Sequence, residues 1–153
     1  MQAEWRFEEQ ASFADDIGLL YEDLGHPRIW GRVLGWLLVC EPAYQSAEGL
    51  GTALRASRGS VSTTTRSLIR AGLVERQTIP GDRRTYYRIR PGAWKTVFEH
   101  QKQTTIRLRQ LAERGLELLN DEPRERRHRL DELHDLTSFY ELVFSTCEGG
   151  PAA

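Results

Sequence analysis

Hydroxyl and guanidinium side chains crowd one stretch of this 153-residue chain, between positions 55 and 84. Such groups hydrogen-bond the phosphate oxygens and the base edges of nucleic acids. On a helix predicted over 58–71 they lie opposite an apolar stripe, and no acid interrupts them. This pattern predicts a DNA-contacting face. We assign base edges and nearby phosphates to Arg58, Ser60, Ser62, Thr63 and Arg66, and phosphates to Arg55 and Arg70.

A second basic feature follows the helix. Two predicted strands, 73–79 and 85–89, are joined by the turn signal Pro80-Gly81-Asp82. Arg83 and Arg84 come directly after the turn, and the negative potential of a minor groove attracts arginine. Asp82 is predicted to hold one of these two arginines in place through a charge-assisted hydrogen bond.

Charge is distributed unevenly along the chain, although the net charge is only −1. Residues 1–54 carry 3 basic and 9 acidic side chains, and residues 96–153 carry 8 and 11. The intervening residues 55–95 carry 10 basic and 2 acidic side chains, a net charge of +8. Positive charge is thus confined to the segment already assigned to nucleic acid, as expected of a DNA-binding surface.

Capping residues predict where the helices that position these side chains begin and end. A first helix is predicted over 47–55, with Ser46 as its N-cap, and Ser57 caps the helix that carries the basic face. Gly72 ends that second helix, because glycine accepts the left-handed conformation. A very short strand over 44–46 is expected to join the hairpin. Helix, turn, helix and hairpin together predict a winged helix-turn-helix in a mainly α fold with a small β-hairpin.

The stretch resembles the multiple-antibiotic-resistance-regulator (MarR) family of bacterial transcription factors. The resemblance is carried by the Ser57 helix start, the exit Arg70-Ala71-Gly72-Leu73-Val74 and the tip Asp82-x-Arg84. It looks closer still to the glycine-betaine-regulator (GbsR) branch, through Pro27-Arg28-Ile29-x-Gly31-Arg32 and Ala56-Ser57-Arg58-Gly59-Ser60-Val61-Ser62. The resemblance implies a homodimer whose terminal helices interlock.

Four regions are expected along the chain. Residues 1–26 form an N-terminal dimerisation helix, ordered from about residue 8, and residues 27–90 form the winged helix-turn-helix DNA-binding domain. Residues 91–148 form C-terminal dimerisation helices, over 93–120 and 124–147, whose apolar stripes exceed what a winged helix needs. Residues 149–153 are a disordered tail. Gly31 and Gly35, four apart, would let another helix approach closely.

A small-molecule effector is a further expectation. GbsR-type relatives respond to quaternary ammonium osmolytes, and such cations bind in aromatic cages. The aromatic residues near the junction of the dimerisation and winged regions are Trp30, Trp36, Tyr44, Trp94 and Phe98. These five are candidates for a cage, and the alternative is that they are ordinary core and interface aromatics.

Other chemistry finds little support in the sequence. His128 and His134 are six apart, which does not place two metal ligands on one helical face, and no nucleophile triad or phosphate-binding glycine loop occurs. We expect no enzyme activity, metal or cofactor. Cys40 is read as a core residue, with a redox switch as the alternative, and Cys147 lies near the C-terminus. With no signal peptide and no membrane-spanning run, a cytoplasmic location is expected.

The function predicted is that of a sequence-specific DNA-binding transcriptional regulator, a homodimer on a near-palindromic operator. Its partners would be double-stranded DNA, a second copy of itself and an effector. The alternative is a winged-helix protein–protein interaction module that binds no DNA. The confined positive charge favours the first reading. The operator, and whether the protein represses or activates, are left open by the sequence.

Overall fold

The computed structural model describes residues 2–146, with side chains from residue 6 onward. Nine elements follow one another in that range: α1 Gln2–Asp23, α2 Arg28–Val39, β1 Gln45–Ser46, α3 Ala47–Leu54, α4 Arg58–Arg70, β2 Val74–Thr78, β3 Thr85–Ile89, α5 Ala93–Leu118 and α6 Arg124–Thr146. The predicted fold class, mainly α with a small sheet in a winged helix-turn-helix, is confirmed.

The N-terminal helix is longer than the sequence suggested. It begins at Gln2, so the expectation that residues 2–7 are loosely ordered is wrong. Ala3, Glu4 and Arg6 are good helix formers, and no glycine or proline interrupts them. The predicted tail at 149–153, and Cys147, lie outside the described residues.

The chain divides into two compact units, one ending at Val97 and one beginning at Phe98. In the first unit, α2 is the central element, because seven of its twelve residues are buried. Leu34 and Val33 of α2, Leu50 and Leu54 of α3, and Val61 and Leu68 of α4 are almost completely buried in one cluster. This core fixes the helix-turn-helix pair against α2.

Helices α1 and α2 pack closely at two glycines. A Cβ atom at Gly31 would lie 2.5 Å from the carbonyl oxygen of Ile17, and one at Gly35 would lie 2.9 Å from the Cα of Ala14. Neither backbone can yield cheaply. The predicted close approach at Gly31 and Gly35 is therefore confirmed, and the approaching helix is α1.

The turn between α3 and α4 is built from capping bonds. Ser46 Oγ accepts from the Gly49 amide at 3.0 Å, and Ser57 Oγ accepts from the Ser60 amide at 3.1 Å, as predicted. Between the helices, Arg55 adopts a left-handed conformation with φ 51°. Among the described residues, the others with a positive φ are glycines. Its conformation turns the backbone so that the amide of Ala56 bonds the carbonyl of Gly51 at 2.9 Å.

The three strands form an antiparallel sheet in the order β1-β3-β2. Strand β3 pairs with β1 through Gln45 opposite Tyr87, and with β2 through Glu75 opposite Arg88. The short strand expected at 44–46 is thus present over Gln45–Ser46. It ties the start of α3 to the hairpin that follows α4.

The second unit contains the remainder of α5 and all of α6. Arg109 of α5 bonds Glu141 of α6 and also Glu113 one turn along α5, where the ion pair measures 2.6 Å. Leu130 of α6 packs where Gly115 leaves room, since a Cβ there would lie 2.7 Å from its Cδ1. The large apolar side chains that stay exposed in this unit are Phe98, Leu108, Leu111, Leu118, Leu136, Phe139, Tyr140, Leu142 and Val143.

Candidate nucleic-acid interface

Helix α4 divides into an inner face and an open face. Val61, Thr65 and Leu68 are fully buried, and Thr65 satisfies its hydroxyl by bonding the carbonyl of Val61 at 2.9 Å. The exposed members of the sequence-predicted set are Arg58, Ser62, Thr63, Arg66 and Arg70, with Ser60 half-buried and Arg55 exposed just before the helix. Seven of the ten predicted DNA-binding residues therefore surround one open helix face.

One hydroxyl of this helix serves the fold instead. Ser67 has polar character suited to the open face, but its Oγ accepts a hydrogen bond from Trp30 Nε1 at 3.1 Å. Trp30 is 5% exposed, and its ring stacks on His26 at 4.3 Å between centroids. Because the bond joins α2 to α4, it helps to set the orientation of the open face.

The arginines of α4, and Arg55 just before it, form no ion pair with a carboxylate of the described residues. Arg66 makes one bond, from Nε to the carbonyl of Ser62 at 3.3 Å, which leaves its two terminal nitrogens available. No ion pair within residues 6–146 neutralises Arg55, Arg58, Arg66 or Arg70. An exposed arginine without a carboxylate partner keeps its full charge and donor capacity for phosphate or for a base edge.

The hairpin formed by β2, β3 and the turn between them, residues 74–89, is the wing, and its arginines are arranged differently. Asp82 accepts from the Arg84 amide at 2.9 Å, from Arg84 Nε at 3.2 Å and from Arg84 Nη2 at 3.0 Å. Tyr86 donates its hydroxyl to the same carboxylate at 2.5 Å. Arg84 is therefore the arginine that Asp82 holds, while Arg83 is exposed and has no bonding partner in the described part of the chain.

Titration properties follow from this cluster. The hydrogen bonds from Arg84, and then the one from Tyr86, hold the pKa of the Asp82 carboxyl well below its usual range. The same carboxylate raises the pKa of Arg84 and the pKa of Tyr86 through the bonds it accepts. The wing thus carries a fixed, fully ionised pair at neutral pH.

Tyr86 is the wing residue that the sequence analysis did not single out. It is 9% exposed, and its ring meets Tyr44 edge-on at 5.2 Å and Arg84 at 5.6 Å. A signal was available, because Asp82, Arg84 and Tyr86 stand at every second position, the spacing that places side chains on one side of extended backbone leading into β3.

The ligand candidates Trp30, Trp36 and Tyr44 of the first unit contact different rings. Trp30 stacks on His26 and lies tilted against Tyr21, Trp36 meets Phe7 edge-on at 5.3 Å, and Tyr44 meets Tyr86. Trp94 belongs to the first unit and is 41% exposed, whereas Phe98 opens the second unit and is 63% exposed. Helix α1 supplies ring partners for Trp30 and Trp36, and strand β3 supplies one for Tyr44, so these three residues do not share one ring partner. The ligand role of each of the five candidates stays a prediction.

Trp36 lines a cavity of the first unit. The cavity measures 890 Å³, and its lining comprises Arg6, Phe7, Gln10, Trp36, Glu41, Gln45, Ser46, Glu48, Gly49, Thr52, Ala53 and Arg84. Trp36 is 5% exposed, and its indole Nε1 has no hydrogen-bond acceptor among the residues that the structure describes. A buried donor without a partner is uncommon in folded proteins. Arg84 belongs both to this cavity and to the wing.

A smaller cavity of 460 Å³ lies against the open face of α4. It is lined by Thr63, Arg66, Ile69, Arg70 and Arg76. Three arginines and no acid of the described residues line it. Arg76 comes from β2 and is exposed, and it is not among the residues assigned to DNA from the sequence.

The other sequence-based possibilities were a redox-active Cys40, a metal site and a membrane span. Burial raises the pKa of the Cys40 thiol, which is 7% exposed and contacts the carbonyl of Leu37. The burial outweighs the hydrogen bond with Gln45, which by itself would favour the thiolate that a redox switch needs. Within residues 6–146 no group of histidine, cysteine and acidic side chains is arranged to hold a metal ion. No helix in the described range is long and apolar enough to span a bilayer.

Comparisons with known proteins agree with this geometry. A MarR family model matches residues 24–85, and a model for MmpR5-like MarR family transcriptional regulators matches residues 92–143. The chain is 44% identical over 137 residues to the HTH-type transcriptional regulator MmpR5 of Mycobacterium tuberculosis. The aligned region covers 90% of this chain and 83% of that relative. The chain belongs to the MarR family of transcriptional regulators. A solved structure described as a transcriptional regulator is 42% identical to this MarR protein, with a TM-score of 0.72 over 91% of this chain and 95% of the other.

The family assignment is sharper in one respect than the sequence resemblance. The family model over residues 92–143 and the relative from Mycobacterium tuberculosis are MmpR5 or MmpR5-like proteins, and neither supports placement in the GbsR branch. As a MarR-family transcriptional regulator, the protein is of a kind that is generally not enzymatic, which agrees with the sequence analysis.

Proposed function

We propose that this MarR-family regulator acts as a homodimer that reads a near-palindromic operator, with α4 in the major groove and the wing in the minor groove. The observation that carries the proposal is the open face of α4, where Arg58, Ser62, Thr63 and Arg66 are exposed and no acid is paired with them. Arg55 and Arg70 would bind phosphates. Arg83 and Arg84 would enter the minor groove, with Asp82 orienting Arg84.

Dimer formation is supported by the apolar surface of the second unit. Leu111, Leu118 and Leu142 are 55%, 84% and 64% exposed, far more than a water-facing helix requires. Large exposed apolar patches mark interaction sites. A two-fold dimer would place its two α4 helices about one helical turn of DNA apart, roughly 34–36 Å.

The deciding experiment combines sedimentation with DNA selection. The full chain should sediment as a dimer at micromolar concentration, and duplexes recovered from a random pool should share a near-palindrome. Their affinity should fall steeply with salt, because only phosphate binding releases condensed counterions. A dimer that binds no duplex at any salt concentration would establish the protein–protein module instead. A monomer would overturn the homodimer.

We further propose that a small organic cation modulates the regulator from the 890 Å³ cavity. Phe7 and Trp36 offer aromatic faces, and the carboxylates of Glu41 and Glu48 line the same space. Cations bind against aromatic faces near carboxylates. The charge of Arg84 is already matched by Asp82, so the cavity has more negative than positive charge available. A ligand there would contact Arg84 and so reach the wing.

Tetramethylammonium is a suitable probe of this site. It should raise the melting temperature of the wild-type protein and shift its DNA affinity, and Trp36→Leu should abolish both effects. Trp94→Leu, a change of an exposed tryptophan that does not line the cavity, should leave both effects intact. If the two variants respond alike, the cavity is not the effector site.

A further inference from the structure

We infer that Arg76 is a DNA phosphate-binding residue, and that with Arg70 it forms an anion clamp beside the base-reading face of α4. This inference rests on the proposed DNA binding. It adds a residue from the sheet to a surface otherwise built from α4 and the tip of the wing. The observation behind it is the acid-free cavity of 460 Å³ between α4 and β2.

The register of the hairpin explains why Arg76 is unpaired. Glu75, its neighbour, points to the other side of the strand, because successive side chains alternate. There Glu75 faces Arg88, its register partner on β3, and binds it at 2.6 Å. Glu75, the acid nearest to Arg76 in sequence, is thus paired with Arg88 instead. Arg76 keeps its charge on the side that faces α4.

Helix α4 supplies the rest of the lining in order along its axis. Thr63, Arg66 and Arg70 follow at spacings of three and four, which aligns them on one face. Ile69, half-buried, separates this face from the core. The hydroxyl of Thr63 and the guanidinium groups of Arg70 and Arg76 are all donors that phosphate oxygens accept.

Electrostatics favour an occupied clamp. Three guanidinium groups around one small cavity repel one another, and no carboxylate of the described residues is paired with any of them. An anion in the cavity would relieve this repulsion. Arg70 also has another role, since a cation in the last turn of a helix interacts favourably with the helix dipole. Arg76 is not on a helix, so its variant tests the clamp without that complication.

A DNA phosphate fits the clamp better than a free anion, because the neighbouring side chains of α4 are those proposed to enter the groove. A helix in the major groove lies between two phosphate strands, and residues flanking it contact the backbone. Arg66 would still read a base edge, and its charge adds to the potential at the cavity.

The test is the salt dependence of DNA binding by the full chain. Wild type, Arg76→Ala, Arg76→Lys and two controls would be titrated with a selected duplex and a scrambled duplex of equal length. Arg76→Ala should weaken binding to both duplexes alike and lower the slope of log affinity against log salt by about 0.9 per bound subunit. Arg76→Lys should restore most of the slope. Thr78→Ala, on the same strand side, and Arg107→Ala, an equal charge loss on α5, should leave it unchanged.

Three results would overturn the clamp. A slope for Arg76→Ala equal to that of Arg107→Ala would remove Arg76 from the interface. If inorganic phosphate raises the melting temperature of wild type but not of Arg76→Ala while the slopes stay equal, the cavity binds a free anion instead. If wild type binds neither duplex with any salt dependence, the proposed function fails together with the clamp. If wild type binds with a steep salt dependence and the slope of Arg76→Ala is unchanged, the clamp alone fails.

Discussion

Arg66 on α4 and Arg84 on the wing offer the same guanidinium group to DNA, but their surroundings differ. Arg66 has a single bond to a backbone carbonyl at 3.3 Å and is otherwise unrestrained. Arg84 is held by Asp82 through both its amide and its guanidinium, and Tyr86 anchors the carboxylate from the other side. Arg84 has therefore lost most of its rotamer freedom before any ligand arrives, whereas Arg66 loses it on binding.

The difference suggests a division of labour between the two regions. A pre-oriented side chain binds with a smaller entropy cost but tolerates little change in its target. A narrow minor groove offers much the same potential along its length, so a fixed arginine suits it. Base edges in the major groove differ from pair to pair, and discrimination there needs donors that bond well only with the right base.

The largest effect should come from Arg66. Arg66→Ala should cost about 1–3 kcal/mol on the preferred duplex and relax its sequence preference, as expected for a guanidinium that reads a guanine. Binding assays on selected and scrambled duplexes measure this, with Arg107→Ala as the charge control. An equal loss on both duplexes would make Arg66 a phosphate contact and would remove the contrast with Arg84.

A smaller effect is expected at the wing. Arg84→Ala and Asp82→Ala should each weaken binding, by about tenfold and somewhat less, because the arginine loses either its charge or its orientation. Coulomb repulsion alone predicts the opposite for Asp82, since that change removes a negative charge near DNA. The double mutant should be no weaker than Arg84→Ala. A double-mutant cycle at fixed salt, with folding checked by circular dichroism, measures the coupling. Additive losses, or tighter binding by Asp82→Ala, would show that Asp82 is only a turn residue.

Tyr86→Phe should have a smaller effect still, about two- to threefold on DNA affinity. The variant keeps the ring against Tyr44 but removes the hydroxyl that donates to Asp82 at 2.5 Å. Asp82 can still accept from Arg84, so the arginine remains in place with more freedom. Tyr44→Phe, which alters the neighbouring ring without touching the carboxylate, is the matched control. An equal response from both variants would mean that the hydroxyl bond does not stabilise the wing.

The smallest effect concerns pH. A folded-state pKa below that of a free carboxyl means that the Asp82 pair stabilises the fold above the unfolded-state value of about 3.9. That stability is lost only as pH falls through the lower folded-state value. Between about pH 8 and pH 5, Asp82 should therefore cause no change in DNA affinity. Carbon NMR of the Asp82 carboxyl measures its titration directly, and a midpoint above the free value would contradict the wing geometry.

Local features of this fold were readable from the sequence. The caps at Ser46 and Ser57, the stop at Gly72 and the close approach at Gly31 depend on neighbouring residues or on a simple spacing, and all are present. The open face of α4 was readable for the same reason, because helical periodicity separates it from the buried stripe at Val61.

Features that depend on tertiary contacts were not readable. Ser67 is a hydroxyl residue like those of the open face. Only the position of Trp30 on another helix shows that Ser67 has a structural role. The five aromatics are grouped by their place in the chain, but Trp30, Trp36 and Tyr44 each have a ring partner outside that group, as Trp36 has in Phe7. Arg76 lacks an acidic partner among the described residues because the strand register pairs Glu75 with Arg88, and this register cannot be deduced from composition.

Arg55 sits where the backbone would prefer glycine. Its left-handed conformation costs a residue with a side chain on the order of 1 kcal/mol or more, a strain that glycine avoids. Folding and DNA binding should therefore select different residues at this position. A screen of variants for heat resistance alone should enrich Arg55→Gly, whereas a screen for operator occupancy should retain arginine. Stabilising the protein by consensus or computation would be expected to erode regulation first at this turn.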